Sequence, residues 1–268
     1  MSMRVLVTGA AGSIGTVVCR GLVDREYAVL GLDRTPEPEG FSGDWYKADC
    51  ADPDEVEEVF ANAGRIDGVV HLAGSPDEGS LPEELTSHVV TTAALLDAMV
   101  RHHVSRIVYA SSNHAVGHTP RADLVGVDVR PRPDTYYGVA KVAAEALLSL
   151  YADRHGIDAI ATRIGSFLDH PESRRNLATW LSHDDAVRMF DACLTAPDPG
   201  FRVIYGISAN TRAWWDLAPG RAIGFDPLDD AEQWAEQVLT DPATPTDDAE
   251  GAHVGGPLTF EEHYRPAL

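Results

Sequence analysis

The sequence predicts an α/β fold, a doubly wound parallel sheet with a small C-terminal region attached. Short apolar, β-branched runs alternate with longer stretches of helical periodicity along the chain. The first of these runs ends in a glycine-rich turn that leads into a helical stretch. A chain of 268 residues accommodates one large domain and an appendage, but not comfortably two full-sized domains.

Five apolar runs predict buried parallel strands, because helices cover both faces of such a sheet, and a sixth run predicts one more strand. The predicted strands are RVLVT (4–8), AVLGL (28–32), GVVHL (68–72), RIVYAS (106–111), AIATRIG (159–165) and RVIYGIS (202–208). Helices are predicted between them at 13–25, 53–62, 82–102 and 136–154. Asp52 is the expected N-cap of the second helix, with Pro53 in its first turn.

The alternation breaks after about residue 165. A helix is predicted over 182–194, where Ser182 and Asp185 have the spacing of a capping box. The turn PDPG (197–200) then leads to the last strand. From about residue 240 the stretch TDPATPTDDAEG is rich in proline and acidic residues, and we expect it to be extended.

Composition excludes several classes of protein. The 21 basic and 42 acidic residues give a net charge of −21, and no basic stripe is present that could bind nucleic acid. No apolar run approaches the roughly 20 residues of a membrane span, and no targeting segment is visible, so we expect a cytoplasmic protein that contacts no membrane. Three isolated cysteines and eleven histidines without metal-ligand spacing predict neither a disulfide framework nor a metal site.

The glycine-rich turn predicts a dinucleotide site. Gly9, Gly12 and Gly15 stand at the first strand-to-helix junction, and Ser13 and Ile14 lie between the last two. Glycines let the backbone approach a pyrophosphate, whose charge meets the N-terminus of the helix. Asp33, at the end of the second strand, is placed to bind the adenosine ribose hydroxyls. Its carboxylate repels a 2′-phosphate and favours NAD over NADP, whereas the adjacent Arg34 could accommodate that phosphate.

Two further turns belong to the same expected cofactor site. They lie where the next two strands end, and they supply Asp49, Cys50, Leu72, Ala73 and Gly74. We expect them to contact adenine and ribose, although each turn alone is also explained by ordinary turn chemistry.

The stretch RPDTYYGVAK (132–141) contains the candidate catalytic pair. Tyr137, and not Tyr136, lies four residues before Lys141, so the Tyr137 and Lys141 side chains share one face of a helix. The chain has only two lysines among its 21 basic residues, which makes an ammonium at 141 notable. A nearby cation favours the phenolate of a tyrosine whose ordinary pKa is about 10. The strand RIVYAS delivers Ser112 to the same edge of the sheet.

These residues resemble the extended branch of the short-chain dehydrogenase/reductase superfamily, which has a Rossmann-like fold. The resemblance implies that Tyr137 is the acid/base, that Lys141 lowers the pKa of the tyrosine and binds the nicotinamide ribose, and that Ser112 binds the reacting oxygen. It makes Tyr137 and Lys141 cofactor-binding residues as well. Tyr136 is expected to be a packing residue or a wall of the substrate site.

Seven segments resemble the uronate dehydrogenase family more closely. They are SSNHAVG (111–117), RPDTYYGVAK, RIGS (163–166), RNLATWLSHDD (175–185), SANTRAWWD (208–216), GFDPLDDAEQW (224–234) and, more faintly, HVGGPLTF (253–260). The resemblance implies oxidation of the anomeric carbon of glucuronate or galacturonate with NAD, which yields an aldarolactone. Within SANTRAWWD we expect Trp214 and Trp215 to close a small core.

The same resemblance implies a set of substrate contacts. The implied residues are Ser75, Ser112, Asn113, His114, Tyr137, Ser166 and Arg175. Ser112 and Tyr137 would hold the anomeric hydroxyl, while Ser166 and Arg175 would hold the carboxylate. A guanidinium binds a carboxylate through two parallel hydrogen bonds, which distinguishes a uronate from a neutral sugar.

The chain also departs from the family pattern at several positions. The serine that family members place after HLGG aligns with Pro76, and Ser75 comes one residue earlier. His88, Thr91 and Thr92 stand where relatives usually have an N-I-I-G sequence. We expect these departures to alter packing near the nicotinamide.

The expected organisation has three parts. Residues 1–165 form a Rossmann domain that binds NAD and carries Ser112, Tyr137 and Lys141; residues 166–240 form a small substrate-binding region interleaved with the sheet; and 241–268 form an extended tail. Pairing through long helices, common in the superfamily, implies a homo-oligomer.

The alternatives to a uronate dehydrogenase are an NAD-dependent glucose 6-phosphate dehydrogenase, a sugar epimerase or dehydratase, and a cofactor-sensing regulator. An epimerase needs a larger C-terminal domain, and a sensor has no need of Tyr137 and Lys141.

Overall fold

The protein folds around a seven-stranded parallel sheet, shown by a computed structural model that describes residues 2–241 and 251–268. The seven strands are β1 (Arg4–Thr8), β2 (Ala28–Asp33), β3 (Asp44–Lys47), β4 (Gly68–His71), β5 (Arg106–Ser112), β6 (Asp158–Ile164) and β9 (Phe201–Gly206). Two short strands, β7 (Ser166–Phe167) and β8 (Trp180–Leu181), form a separate parallel pair.

Helices connect the strands. They are α1 (Ser13–Asp24), α2 (Pro53–Asn62), α3 (Leu81–Glu84), α4 (Thr91–Arg101), α5 (Tyr136–His155), α6 (Asn176–Thr179), α7 (His183–Thr195), α8 (Ala218–Ala222) and α9 (Ala235–Thr240). A π-helical turn at Leu85–Val90 joins α3 to α4. No helix of the described residues is both long and apolar enough to cross a bilayer.

The order of the strands in the sheet indicates where a ligand site lies. The sheet runs β3-β2-β1-β4-β5-β6-β9, so the direction of winding reverses between β1 and β4. Thr8, the last residue of β1, pairs with Leu32 on one side and His71 on the other. Ligands bind outside the carboxyl ends of the strands at such a switch point.

Helices cover both faces of the sheet, and each face has its own hydrophobic core. On one face α2, α4 and α5 bury Val56, Leu95 and Leu148. On the other, α1 and α7 bury Leu22 and Phe190. Apart from the half-exposed edge strand β3, the strands of the sheet are largely buried and read as apolar runs, which is why the sequence predicted them. The doubly wound fold is confirmed.

Most predicted elements lie within two residues of their observed bounds. Asp52 accepts hydrogen bonds from the backbone N–H groups of Asp54 and Glu55, as expected of an N-cap. β3 had no predicted bounds, because four half-exposed residues carry no apolar run. The single helix predicted over 82–102 is instead α3, the π-helical turn and α4 in succession. All three are helical, so the prediction of a helical stretch is confirmed, whereas its widened turn was not predicted.

Ser182 caps α7 and accepts from the backbone N–H of Asp185 at 2.9 Å. The other half of the predicted capping box is absent in this part of the described chain. The buried carboxylate of Asp185 instead accepts from the backbone N–H groups of Leu228 and Asp229 and from Arg188. Asp185 thereby anchors the loop before α9 to the start of α7.

The C-terminal segment differs from the extended tail that was expected. Residues 242–250, which carry most of the proline-rich acidic stretch, lie outside the described residues. Residues 251–268 contain two 3₁₀ turns and pack against the protein: Val254 is fully buried, and His253 forms an isolated bridge with Pro120. Val254 shares a small core with Trp214 and Trp215, so the prediction for the two tryptophans is confirmed.

A buried ion pair ties α5 to the sheet. The Arg163 guanidinium donates to Glu145 at 3.0 Å through Nε and 2.8 Å through Nη2, and to the Val127 carbonyl at 2.9 Å. Ser111 donates to the same carboxylate at 2.6 Å. Removing one partner of a buried pair leaves an uncompensated charge in a medium that solvates it poorly.

We therefore expect Arg163→Met to lower the free energy of unfolding by about 3 kcal/mol. Denaturant unfolding measures this loss, and E145M/R163M, which removes both charges, should recover a large part of it. The control is Arg221→Met, since Arg221 and its partner Asp226 are 54% and 73% exposed and such pairs contribute at most about 1 kcal/mol. Equal stability of R163M and the wild type would contradict the structural role of the pair.

Candidate active site

A cleft follows the carboxyl edge of the sheet, in two adjoining cavities of about 760 and 250 Å³. Gly9, Gly12, Leu72, Gly74 and Ser75 line both cavities. The larger cavity also contacts Ala73 and the three polar residues predicted for the adenosine half, Asp33, Asp49 and Cys50. The smaller contacts Ser13, Ile14, Gly15, Ser112, Tyr137 and Lys141. The structure thus gathers the predicted cofactor and catalytic residues along one cleft.

The glycine loop packs so closely against neighbouring backbone that side chains are excluded at Gly9 and Gly15. Gly9 has a φ of +67°, and a Cβ there would lie 2.7 Å from the backbone nitrogen of Ala73. A Cβ at Gly15 would lie 2.2 Å from the Gly9 carbonyl oxygen. The helix α1 begins at Ser13 with Gly12 as N-cap, and no side chain caps it. Its first backbone N–H groups therefore suit the pyrophosphate of a dinucleotide.

The adenosine end has a fixed carboxylate. Asp33 accepts from the backbone of Ala11 at 3.0 Å and from Thr35 at 3.0 Å, through both its backbone N–H and its hydroxyl. Arg34 lines the same cavity. Burial raises the pKa of Cys50 to about 12, so this residue lines the cavity as a neutral thiol.

The N-terminus of α5 is held by two side chains. Thr135, the N-cap, accepts from the backbone N–H of Gly138 at 2.9 Å. Glu78 reaches from the loop after β4 and accepts from the backbone of Tyr136 at 2.7 Å and of Tyr137 at 3.1 Å. An acidic side chain at this end also complements the helix dipole. Glu78 thus fixes the turn that carries Tyr137.

Tyr137 and Lys141 lie one turn apart on the buried face of α5, as predicted. The Lys141 ammonium donates to the Ala110 carbonyl at 2.7 Å and lies 5.1 Å from the centre of the Tyr137 ring. It is also 4.8 Å from the centre of the Tyr109 ring. Tyr137 is hydrogen-bonded to Ser112. The predicted Ser-Tyr-Lys set therefore meets at one point of the smaller cavity.

Burial controls the protonation of this set. Desolvation raises the pKa of Tyr137 to about 12, against the lowering effect of the hydrogen bond from Ser112, and Glu84 raises it further. Desolvation also lowers the pKa of Lys141 to about 7, although Glu84 and Glu145 raise it. The expected lowering of the tyrosine pKa by Lys141 is therefore not found in the protein alone, where only Ser112 lowers it and burial sets the direction of the shift.

The predicted substrate residues lie in two groups. His114 shares a hydrogen bond of 2.9 Å with Asp134, and its backbone N–H donates to the Ser112 hydroxyl at 3.2 Å. Asn113 and Arg175 both donate to the Val254 carbonyl, at 3.2 and 2.6 Å. Arg175 thus contacts the C-terminal segment in this structure.

Ser166 is connected to Arg175 through Thr179. The Ser166 and Thr179 hydroxyls are 2.9 Å apart, and the Arg175 guanidinium lies 3.5 Å from the Thr179 hydroxyl. Ser166 also accepts from the Asn176 side chain at 2.9 Å. The carboxylate-binding pair that the resemblance implies is therefore brought together at the start of α6.

Ser75 and Pro76 line the smaller cavity in the loop after β4. The backbone N–H of Ser75 donates to the Ser87 hydroxyl at 2.7 Å, which fixes this loop against the π-helical turn. Tyr136 points elsewhere, since its hydroxyl donates to the Arg265 carbonyl at 2.7 Å.

Sequence reasoning missed four contributors to this region, namely Glu78, Asp134, Thr179 and Val254. Glu78 and Val254 lie in irregular segments whose contacts span 58 and 141 residues, so no local pattern marks them. Asp134 stands inside the quoted stretch RPDTYYGVAK, three residues before Tyr137, and its place in that motif was the available signal.

The fold, the glycine loop and the Ser-Tyr-Lys set define an NAD-dependent enzyme of the extended short-chain dehydrogenase/reductase class. A sequence model of the NAD dependent epimerase/dehydratase family matches residues 5–168. Over nearly its whole length, the chain belongs to the uronate dehydrogenase family within that class.

Three relatives show this. The chain is 34% identical to the uronate dehydrogenase of Pseudomonas syringae pv. tomato, over 94% of this chain and 92% of the relative. It is 37% identical to the uronate dehydrogenase of Agrobacterium fabrum, over 91% and 92%. A crystal structure of uronate dehydrogenase from Agrobacterium tumefaciens, a tyrosine-to-alanine mutant complexed with NAD, matches with a TM-score of 0.89 and 34% identity, covering 100% of this chain and 99% of that one.

Proposed function

We propose that this protein oxidises the anomeric carbon of a hexuronic acid, glucuronate or galacturonate, to the aldarolactone with NAD. The observation that carries the proposal is the convergence of Ser112, Tyr137 and Lys141 on the cavity that adjoins the glycine loop. The uronate dehydrogenase relatives support the choice of substrate. Asp33 supports NAD over NADP, because its carboxylate repels a 2′-phosphate.

The residues divide the reaction between them. When bound, NAD supplies the hydride acceptor and, with its cationic ring, the positive charge that favours a phenolate. Tyr137 takes the proton of the C1 hydroxyl, Lys141 stabilises the phenolate, and Ser112 donates to the oxygen that becomes the carbonyl. Ser166 and Arg175 hold the substrate carboxylate, and Asn113 and His114 hold neighbouring hydroxyls. The lactone then leaves and opens in water.

The test is NADH formation on a panel of sugars. We expect turnover with glucuronate or galacturonate, and much less with glucose, which lacks the carboxylate, or with glucose 6-phosphate, the alternative substrate. Tyr137→Phe should lower kcat about a thousandfold, since it removes the acid/base. A wild-type protein that reduces NAD with glucose 6-phosphate but not with uronates would overturn the proposal.

The carboxylate contact is tested at two adjacent arginines. We expect Arg175→Ala to lower kcat/KM for uronate at least about a hundredfold, since charged hydrogen bonds to the substrate are lost. Its NADH affinity should be unchanged. The matched control is Arg174→Ala, because Arg174 donates to the Leu239 carbonyl at 3.2 Å. Equal uronate turnover by R175A and the wild type would refute the assignment.

The pH dependence tests the role of Ser112. The base must be ionised, so kcat/KM for uronate at saturating NAD should rise with pH. The hydrogen bond from Ser112 lowers the pKa of Tyr137. Ser112→Ala removes it, and the rising limb should therefore move to higher pH as the rate falls. A lower rate with the limb unmoved would show that Ser112 does not act on the ionisation of Tyr137.

We also propose a homodimer that pairs through α5. The outer face of α5 carries a stripe of four apolar residues, Val139, Ala143, Ala146 and Leu150. Two of them, Val139 and Leu150, are 37% and 40% exposed. A second copy would cover this apolar stripe. Light scattering should give a dimer for the wild type and a monomer for V139E/L150E; a monomeric wild type would refute the pairing.

We place this reaction in the cytoplasm. Cys19, Cys50 and Cys193 are buried free thiols, and this use of cysteine supports a reducing compartment.

A further inference from the structure

The side chain of Asp134 is fully buried just before the helix that carries Tyr137. Asp134 immediately precedes Thr135, the N-cap of α5, and an acidic side chain at this place ordinarily binds the first backbone N–H groups of the helix. Those groups are already bound here by Thr135 and Glu78. The Asp134 carboxylate is therefore not needed to cap α5, and its role lies elsewhere.

The Asp134 carboxylate binds the ring of His114. Nδ1 of His114 lies 3.0 and 2.9 Å from the two carboxylate oxygens. A carboxylate only accepts hydrogen bonds, so Nδ1 carries a proton. The hydrogen bond at one ring nitrogen decides the state of the other, and in the neutral ring Nε2 is then an acceptor. Asp134 thus selects one of the two tautomers of His114.

Two glycines from distant segments enclose this carboxylate. A Cβ at Gly117 would lie 2.1 Å from the carboxyl carbon of Asp134, and a Cβ at Gly255 would lie 1.7 Å from its Oδ2. The backbone N–H of Gly255 donates to the Gly117 carbonyl at 2.8 Å, which holds the two segments together beside Asp134. A carboxylate is costly to bury without a hydrogen bond, and among the residues that the structure describes His114 supplies it.

The opposite edge of the His114 ring is accessible. The side chain is 18% exposed, and Nε2 has no hydrogen-bond partner in residues 2–241 and 251–268 and is not buried. The ring centre lies 6.1 Å from that of Tyr137, with the planes at 72°. The backbone N–H of His114 donates to the Ser112 hydroxyl at 3.2 Å. An accessible acceptor therefore stands beside the two side chains proposed to bind the anomeric hydroxyl.

We infer that Asp134 is a positioning residue for sugar recognition: it holds the proton of His114 on Nδ1, so that Nε2 accepts a hydrogen bond from a substrate hydroxyl near the reacting carbon. A hydroxyl can donate to such an acceptor, whereas a carbonyl or ether oxygen cannot. The tautomer therefore selects for a free hydroxyl at this point of the sugar. The inference deepens the proposed function and rests on the proposed binding of a uronate at Ser112 and Tyr137.

Two substitutions of similar shape separate the acceptor from the packing. Asparagine can turn its carbonyl towards Nδ1 and keep the acceptor, whereas leucine has none. In Asp134→Leu the ring avoids a buried, unpaired N–H by carrying its proton on Nε2. We expect the KM for uronate to rise roughly tenfold with kcat little changed, because a bond to a non-reacting hydroxyl stabilises substrate and transition state alike. Asp134→Asn should keep a KM close to that of the wild type.

The matched control is Glu57→Leu, which removes the carboxylate partner of another histidine, His102, at 2.7 Å. It should leave the KM for uronate unchanged, and all three variants should bind NADH like the wild type. A lower kcat with an unchanged KM in D134L would show that Asp134 acts on Tyr137 and not on the sugar, which would overturn the inference. Equal KM values for D134L and the wild type would overturn it as well.

Nitrogen NMR of the wild-type protein gives a second test that needs no variant to fold. With ¹⁵N-labelled histidine, His114 should show a protonated Nδ1 and an unprotonated Nε2 in the absence of sugar. Uronate added together with NADH should then shift the Nε2 signal. A ring whose proton lies on Nε2 would overturn the inference even if the protein oxidises uronates. Failure of the proposed function is detected separately, by the sugar panel.

Discussion

The burial of Lys141 beneath Tyr137 is the constraint on which the rest of the site depends. Desolvation disfavours both the ammonium and the phenolate, so the two groups can be charged together only if nearby groups compensate. Glu145, itself held by Arg163, and Glu84 supply negative charge that favours the ammonium. Neither carboxylate needs to touch a substrate for this effect. Residues that stabilise the fold therefore also favour the charged form of Lys141.

The parallel sheet brings the residues of the site together at one edge. The glycine loop follows β1, the Ser75 loop follows β4, Ser112 ends β5 and Ser166 follows β6, so four adjacent carboxyl ends contribute to one region. α5 then crosses the end of β5 and brings Tyr137 to Ser112. Parallel strands make this convergence automatic, because every carboxyl end lies at the same edge.

The sequence was sufficient to predict features that depend on residues close together along the chain. The strand at 4–8 was predicted because a fully buried strand is a continuous apolar run. Tyr137 and Lys141 were predicted to share a helical face because they lie four residues apart. Asp52 was predicted to cap a helix because it precedes a proline. It was insufficient to predict contacts between residues that are far apart along the chain. Nothing near Arg175 indicates that it meets the Val254 carbonyl, 79 residues away. The raised pKa of Tyr137 could not be predicted from the sequence either, because desolvation depends on packing from several elements at once.

The last eighteen residues contact side chains next to the cleft without belonging to the sheet. Val254 accepts from Asn113 and Arg175, and Arg265 accepts from Tyr136, yet Leu268 itself is 97% exposed. A fusion partner appended after Leu268 would meet no steric barrier, whereas a deletion reaching Val254 would leave two side-chain donors near the cleft without their acceptor. A substitution in this stretch can thus change the surroundings of Asn113 and Arg175 without altering any strand of the seven-stranded sheet.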